Sequence, residues 1–241
     1  MGTFKSEIAV VTGASSGIGK AIALGLAAHG ATLCLVGRKV ETLDAVADAA
    51  RVNAAQVITL QADLMRDEDI QGIAEYLQQK FGRVNILIHS AGIISIGRFD
   101  CTPVEDFDLQ YKINVRAAYI LTQTLLPLLR SRQGQIVFIN TSLGLNAKAN
   151  VGQYAATKHA LRALADSLRE EVNPDGLRVL SLFLGRTASP MQAALHEVEK
   201  KAYFPEKLMQ PADVAMVVVN ALSLPRTAEV TDISIRPLMK T

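Results

Sequence analysis

The tightest constraint on this chain is an alternation. Short apolar, β-branched blocks at 8–12, 31–36, 57–60, 85–89, 135–140, 177–183 and 232–236 take turns with longer blocks at 19–29, 40–50, 68–81, 104–129, 152–172 and 211–222. In the longer blocks the apolar residues recur near the helical period, as at Ala160, Leu161, Leu164, Leu168 and Val172. The short blocks are apolar almost throughout instead of alternating with polar residues. A strand of that kind is buried on both faces, and strands joined through helices run parallel. The expectation is an α/β fold: a doubly wound, mostly parallel, seven-stranded sheet with helices on both faces. No repeat and no Ser/Pro/Gly-rich linker interrupts the pattern, so residues 1–241 read as a single domain.

Composition matters here for what it excludes. At 49% hydrophobic and 20% charged, the chain has ample material for a core. A net charge of +2, with no long Lys/Arg cluster, gives no drive toward nucleic acid or a membrane surface. No apolar run approaches the roughly 18 residues needed to cross a bilayer. Cys34 and Cys101 stand alone, without a CxxC spacing, which argues against a zinc site or a disulfide framework. No cluster of metal-ligating residues is visible, so no metal is expected. The start of the chain lacks a basic stretch followed by an apolar run. Together these features predict a cytoplasmic protein.

Two stretches carry chemistry. The first, Thr12-Gly13-Ala14-Ser15-Ser16-Gly17-Ile18-Gly19, follows the first strand and opens the first helix. In that context Gly13 makes the turn. Gly17 lets the backbone of the Ser15-Ser16-Gly17-Ile18 stretch approach a pyrophosphate whose charge meets the helix N-terminus, and Gly19 allows close packing. This is the signature of a Rossmann-type dinucleotide site, in a GxxxGxG spacing. The second is Tyr154-Ala155-Ala156-Thr157-Lys158. Four residues on a helix bring the phenol and the amine onto one face, one turn apart. A neighbouring ammonium lowers a phenol's pKa from its usual value of about 10 and fits it to exchange a proton with a carbinol oxygen.

The glycine turn near the start and the Tyr154–Lys158 stretch far downstream, in that order, resemble the short-chain dehydrogenase/reductase family over essentially the whole chain. The resemblance implies reversible hydride transfer between a nicotinamide cofactor and a carbonyl or alcohol carbon of a small molecule. In that scheme Tyr154 passes the proton, and Lys158 tunes it and holds the nicotinamide ribose. The catalytic hydroxyl comes from Ser142, twelve residues before Tyr154, ahead of Thr141, thirteen before it. Asn114 has poor helix propensity yet lies inside a predicted helix. The resemblance gives it the task of bending that helix and holding a water beside the lysine.

The cofactor is read at the second strand's end. An acidic residue there would bind the ribose hydroxyl of NAD(H). Gly37-Arg38-Lys39 instead offers Arg38 as a planar fork for the 2′-phosphate, favouring NADP(H) over NAD(H). By resemblance, Asp63 and Leu64 meet the adenine; read alone, Asp63 is equally a helix cap. Ala91 and Gly92 wall the ribose. Gly185 is followed by Thr187 and Ser189, rivals for the nicotinamide amide. His89 reads as a packed, hydrogen-bonded residue rather than a base. Residues 186–206 read as a loop that serves as substrate lid. The resemblance further implies a homodimer or homotetramer paired through the helices at 104–129 and 153–172. The alternative is a cofactor-binding sensor or scaffold without activity, but such a chain would be expected to have lost one of Tyr154, Lys158, Ser142 and Asn114.

Overall fold

A computed structural model describes residues 3–239. Seven strands form one sheet: β1 Ile8–Thr12, β2 Thr32–Gly37, β3 Gln56–Gln61, β4 Ile86–His89, β5 Gln135–Thr141, β6 Arg178–Leu184 and β7 Asp232–Ile235. Their order is β3-β2-β1-β4-β5-β6-β7, and every neighbouring pair is parallel. Eight helices connect and cover them: α1 Gly17–Ala28, α2 Val40–Arg51, α3 Asp67–Lys80, α4 Val104–Tyr111, α5 Ala117–Arg130, α6 Gly152–Val172, α7 Pro190–Val198 and α8 Pro211–Leu222.

The unbroken apolar strands now have their explanation. Ala9 and Val11, with Leu33 and Leu35, face a core shared with α1, α2 and α8. Ile8 and Val10, with Cys34 and Val36, face the opposite core, shared with α3, α5 and α6. Each fully buried Val, Leu or Ile contributes about 1.5–3 kcal/mol relative to exposure, so both faces must be apolar for the sheet to hold two helical layers. The chain winds outward from β1 to β3, then crosses back to β4 beside β1. That reversal opens a crevice at the carboxyl ends of the strands, where such sheets bind ligands.

Two expectations change. The predicted helix over 104–129 is two helices, α4 and α5, joined by a π-helical turn at Lys112–Arg116. No side chain caps its start. Thr102 donates its hydroxyl to the Arg98 carbonyl at 2.8 Å, and Pro103 is itself the extended N-cap residue. A tight turn ahead of the helix thus takes the hydroxyl that a cap needs. Finally, the predicted loop at 186–206 contains α7, capped by Ser189, whose hydroxyl accepts from the Gln192 amide at 3.2 Å.

Candidate active site

The glycine turn is built by close approach. Gly13 has φ +65°, and a methyl there would lie 2.8 Å from the Ala91 nitrogen. Gly19 faces the turn itself, since its methyl would meet the Gly13 carbonyl oxygen at 2.3 Å. Thr12 locks β1 to β4: its hydroxyl donates to the Ile88 carbonyl at 3.2 Å and accepts from the Ser90 and Ala91 amides at 3.1 and 3.2 Å. No side chain caps α1, and no acidic residue occupies its first turn. A helix start left open in this way attracts an anion.

At the next strand end Arg38 is exposed, and its guanidinium has no ion-pair or hydrogen-bond partner among the described residues. Asp63 makes a short turn, accepting from the Met65 amide at 3.0 Å. It does not cap α3, whose N-cap residue is Arg66. These residues fit a dinucleotide: a glycine cradle that a side chain would fill, a free helix start, and an unpartnered guanidinium at the sugar end.

The chemistry-bearing side chains meet where β4, β5 and α6 converge. Lys158 is buried, and its Nζ donates to the Ile139 carbonyl at 3.1 Å. Burial pushes its ammonium down to about 8. Tyr154 lies one turn earlier, with Lys158 Nζ 5.8 Å from the ring centroid. Here the sequence expectation is corrected: burial raises the phenol's pKa above its ordinary value instead of the lysine lowering it. The reason is distance and solvation, because the ammonium is turned toward the Ile139 carbonyl. Thr141 spends its hydroxyl on the backbone, donating to the Leu184 carbonyl at 3.2 Å and accepting from the Leu143 amide at 3.4 Å. The Ser142 hydroxyl faces the cleft with no hydrogen bond among the described residues.

Two amides brace this group. Asn114 sits in the π turn, behind the cleft wall. Its Oδ1 accepts from the Ile93 amide at 2.9 Å, and its Nδ2 donates to the Ile93 carbonyl at 2.9 Å and to Thr157 Oγ1 at 3.1 Å. Both donors of the amide are therefore used. A methyl on Gly92 would stand 3.1 Å from Asn114 Oδ1 and 3.9 Å from Lys158 Nζ, so only glycine leaves this wall thin enough. Asn140, to which the sequence gave no role, clamps β5 to α6. Its Nδ2 donates to the Lys158 carbonyl at 3.0 Å and its Oδ1 accepts from the Thr141 amide at 2.8 Å. Thr157 completes the brace by donating to the Tyr154 carbonyl at 2.8 Å. His89 is buried, stacked on Phe138 at 4.8 Å and paired with Thr122 Oγ1 at 2.8 Å. Burial drives its pKa down to about 3, which leaves a neutral packing residue.

One cleft of about 1120 Å³ gathers nearly all of the expected residues: Gly13, Ser15, Ser16, Gly17, Ile18, Gly19, Arg38, Asp63, Leu64, Ala91, Gly92, Ser142, Tyr154, Lys158, Gly185, Thr187 and Ser189. Of the two hydroxyls after β6, Thr187 donates to the Gly185 carbonyl at 3.2 Å while Ser189 caps α7. Gly185 is pressed by the chain's end, a methyl there falling 2.8 Å from Pro237 Cδ. Ser189 reaches back to the glycine turn, where its Cβ would be 3.3 Å from a methyl on Gly17. Sequence reading missed Arg186 and Glu199, which share this cleft. Arg186 Nη2 donates to both Glu199 oxygens at 2.7 and 2.8 Å. Among the described residues no group of three or more His, Cys, Asp or Glu is arranged to hold a metal ion.

Comparison with known proteins agrees with this geometry. A family model described as short chain dehydrogenase matches residues 7–200. An uncharacterized oxidoreductase of Staphylococcus aureus is 30% identical over 239 residues, covering 99% of this chain and all of the relative. Among solved structures, an alcohol dehydrogenase from the archaeon Thermococcus sibiricus, complexed with 5-hydroxy-NADP, superposes with a TM-score of 0.89 at 26% identity over 98% of both chains. The L-sorbose reductase of Gluconobacter frateurii, complexed with NADPH and L-sorbose, gives 0.86 at 26% identity over 98% of this chain and 97% of that one.

Proposed function

The chain belongs to the short-chain dehydrogenase family, and from that premise we propose that it is an NADP(H)-dependent oxidoreductase interconverting a carbonyl and an alcohol on a small molecule. The observation that carries the reading is the shared cleft: the Tyr154 and Lys158 side chains open onto the same space as the glycine turn.

NADPH, when bound, supplies a hydride that forms the new C–H bond, while the carbonyl π pair becomes an alkoxide lone pair. Tyr154 donates the proton to that alkoxide, giving the alcohol. Burial keeps the phenol protonated in the empty cleft, which is the state that reduction requires. In oxidation the phenol must first lose its proton, a loss that burial opposes in the empty cleft. Ser142, with its free hydroxyl, donates to the same substrate oxygen and fixes its position. Lys158 has donors to spare beyond Ile139 for the nicotinamide ribose. Asn114 acts from behind, holding the Ile93 backbone and Thr157 so that the wall beside Lys158 keeps its shape.

Arg38 supports NADP(H) over NAD(H), and the neighbours complexed with 5-hydroxy-NADP and NADPH point the same way. Residues 186–206, with α7 inside, serve as the substrate lid of a single domain over 1–241. Two free thiols, Cys34 and Cys101, fit the reducing cytoplasm. No helix among the described residues is long and apolar enough to cross a membrane. Exposed Leu109, Tyr111 and Tyr119 on and beside α4 and α5 support pairing of two or four copies.

The test is Tyr154→Phe, followed by NADPH absorbance with a panel of aldehydes, ketones and diketones. Turnover should fall at least about a hundredfold, the usual scale of a general acid, with NADPH affinity unchanged. Activity near that of the unmodified enzyme would refute the assignment.

A further inference from the structure

Building on the oxidoreductase reading, we propose that the substrate of this cleft is an oxo acid, and that Arg186 recognises its carboxylate. Arg186 follows β6 after one intervening residue, Gly185, and Ser142 follows β5 directly. Thr141 and Leu184 are register partners on those neighbouring strands, so the two residues flank one opening, with backbones roughly one strand spacing of about 5 Å apart plus one residue step. A guanidinium lining the same cleft as the hydroxyl that binds the substrate oxygen suits a substrate that carries a carboxylate as well as a carbonyl.

A carboxylate from the protein already occupies this guanidinium. Glu199 accepts from Arg186 Nη2 through both of its oxygens, and it also lies 3.2 Å from Lys201 Nζ. Glu199 is the residue that ends α7, where the helix dipole disfavours a negative charge. Burial alone would raise its pKa, but Arg186 and Lys201 together hold it below the ordinary carboxylate value. Because Glu199 has two cationic partners, it can release Arg186 and remain paired with Lys201. Arg186 Nη1 is anchored separately, 3.3 Å from His196 Nε2, so the guanidinium stays aimed when Glu199 leaves. The cleft is also lined by Lys148, which has no charged partner among the described residues. Incoming acid therefore meets an excess of positive charge.

The competing account is a latch, in which the pair only ties the end of α7 to the root of the lid. Kinetics of an oxo acid against its neutral methyl ester separates the two, using the unmodified enzyme, Arg186→Gln, Arg186→Lys and Glu199→Gln. If the proposal holds, the unmodified enzyme prefers the acid. Arg186→Gln lowers kcat/KM for the acid at least about tenfold and leaves the ester unchanged. Arg186→Lys, which keeps the charge without the fork, falls between them. Glu199→Gln lowers KM for the acid, because the guanidinium is freed. Equal losses on acid and ester in both Gln variants, or no preference for the acid, would overturn it; melting curves verify that each variant is folded. Should neither compound be reduced, calorimetric titration of the oxo acid into the enzyme with NADPH decides separately. Binding that Arg186→Gln abolishes sustains the carboxylate assignment and absence of binding overturns it, while the oxidoreductase reading stands or falls on the aldehyde, ketone and diketone panel alone.

Discussion

Lys158 carries a buried amine to the wall of the cleft, where a single neutral carbonyl accepts from it. Its pKa in the folded chain, about 8, lies below the ordinary value of 10.5. Between those two values the unfolded chain binds more protons, so stability rises with pH across that window. Below about pH 8 the full penalty of a buried ammonium is present, at most about 3 kcal/mol. Lys158→Met should therefore stabilise the empty protein at pH 7, and the gain should shrink between pH 8 and 10.5 in denaturant melts. A pH-independent difference would mean that the amine is solvated. Tyr154 and Lys158 were legible in the sequence because their relation is local, one helical turn. Asn140, Thr12 and Arg186 were not, because each acts through partners that only the closed sheet brings near: Lys158 for the first, Ala91 for the second, Glu199 for the third.

At the scale of elements, β1 and α6 came out as read, since an apolar block and a strong period need no tertiary help. The start of α1 moved back to Gly17, at the open end of the turn. The π turn was legible only through Asn114, the poor helix former to which the resemblance gave the bending of that helix, because composition does not otherwise change across it. It coincides with the pull of Asn114 on the Ile93 backbone, and such turns recur at functional sites. α7 had a readable start in Ser189-Pro190, but its 9 residues are too few to establish a period. Glycine roles are testable at this scale. Gly19→Ala drives a methyl into the Gly13 carbonyl and should abolish NADPH binding. Gly72, inside α3, has nothing within 4 Å of its added methyl. Gly72→Ala should stabilise the protein by roughly 0.5–1 kcal/mol through helix propensity alone. Paired melts and NADPH titrations check both. Retained binding in Gly19→Ala would show that the turn relaxes.

At the scale of the molecule, two helical layers bury the sheet, yet large apolar side chains remain outside on the edge formed by α4 and α5. Tyr119 is 50% exposed, Tyr111 47% and Leu109 42%, apolar area of the kind that a second copy would cover. Sedimentation at micromolar concentration should give a dimer or tetramer, and Leu109→Asp with Tyr119→Asp should shift it toward monomer. A monomeric unmodified protein would exclude pairing through this edge. The Asn140 clamp has a consequence for those who would retool the enzyme. It rivets the groups that move protons to a rigid strand and helix, whereas Arg186, Glu199 and Lys148 stand on segments outside that rivet. Libraries aimed at new selectivity therefore have two zones: 139–144, 152–158 and 187–189 left alone, 145–151, 186 and 190–201 open to variation.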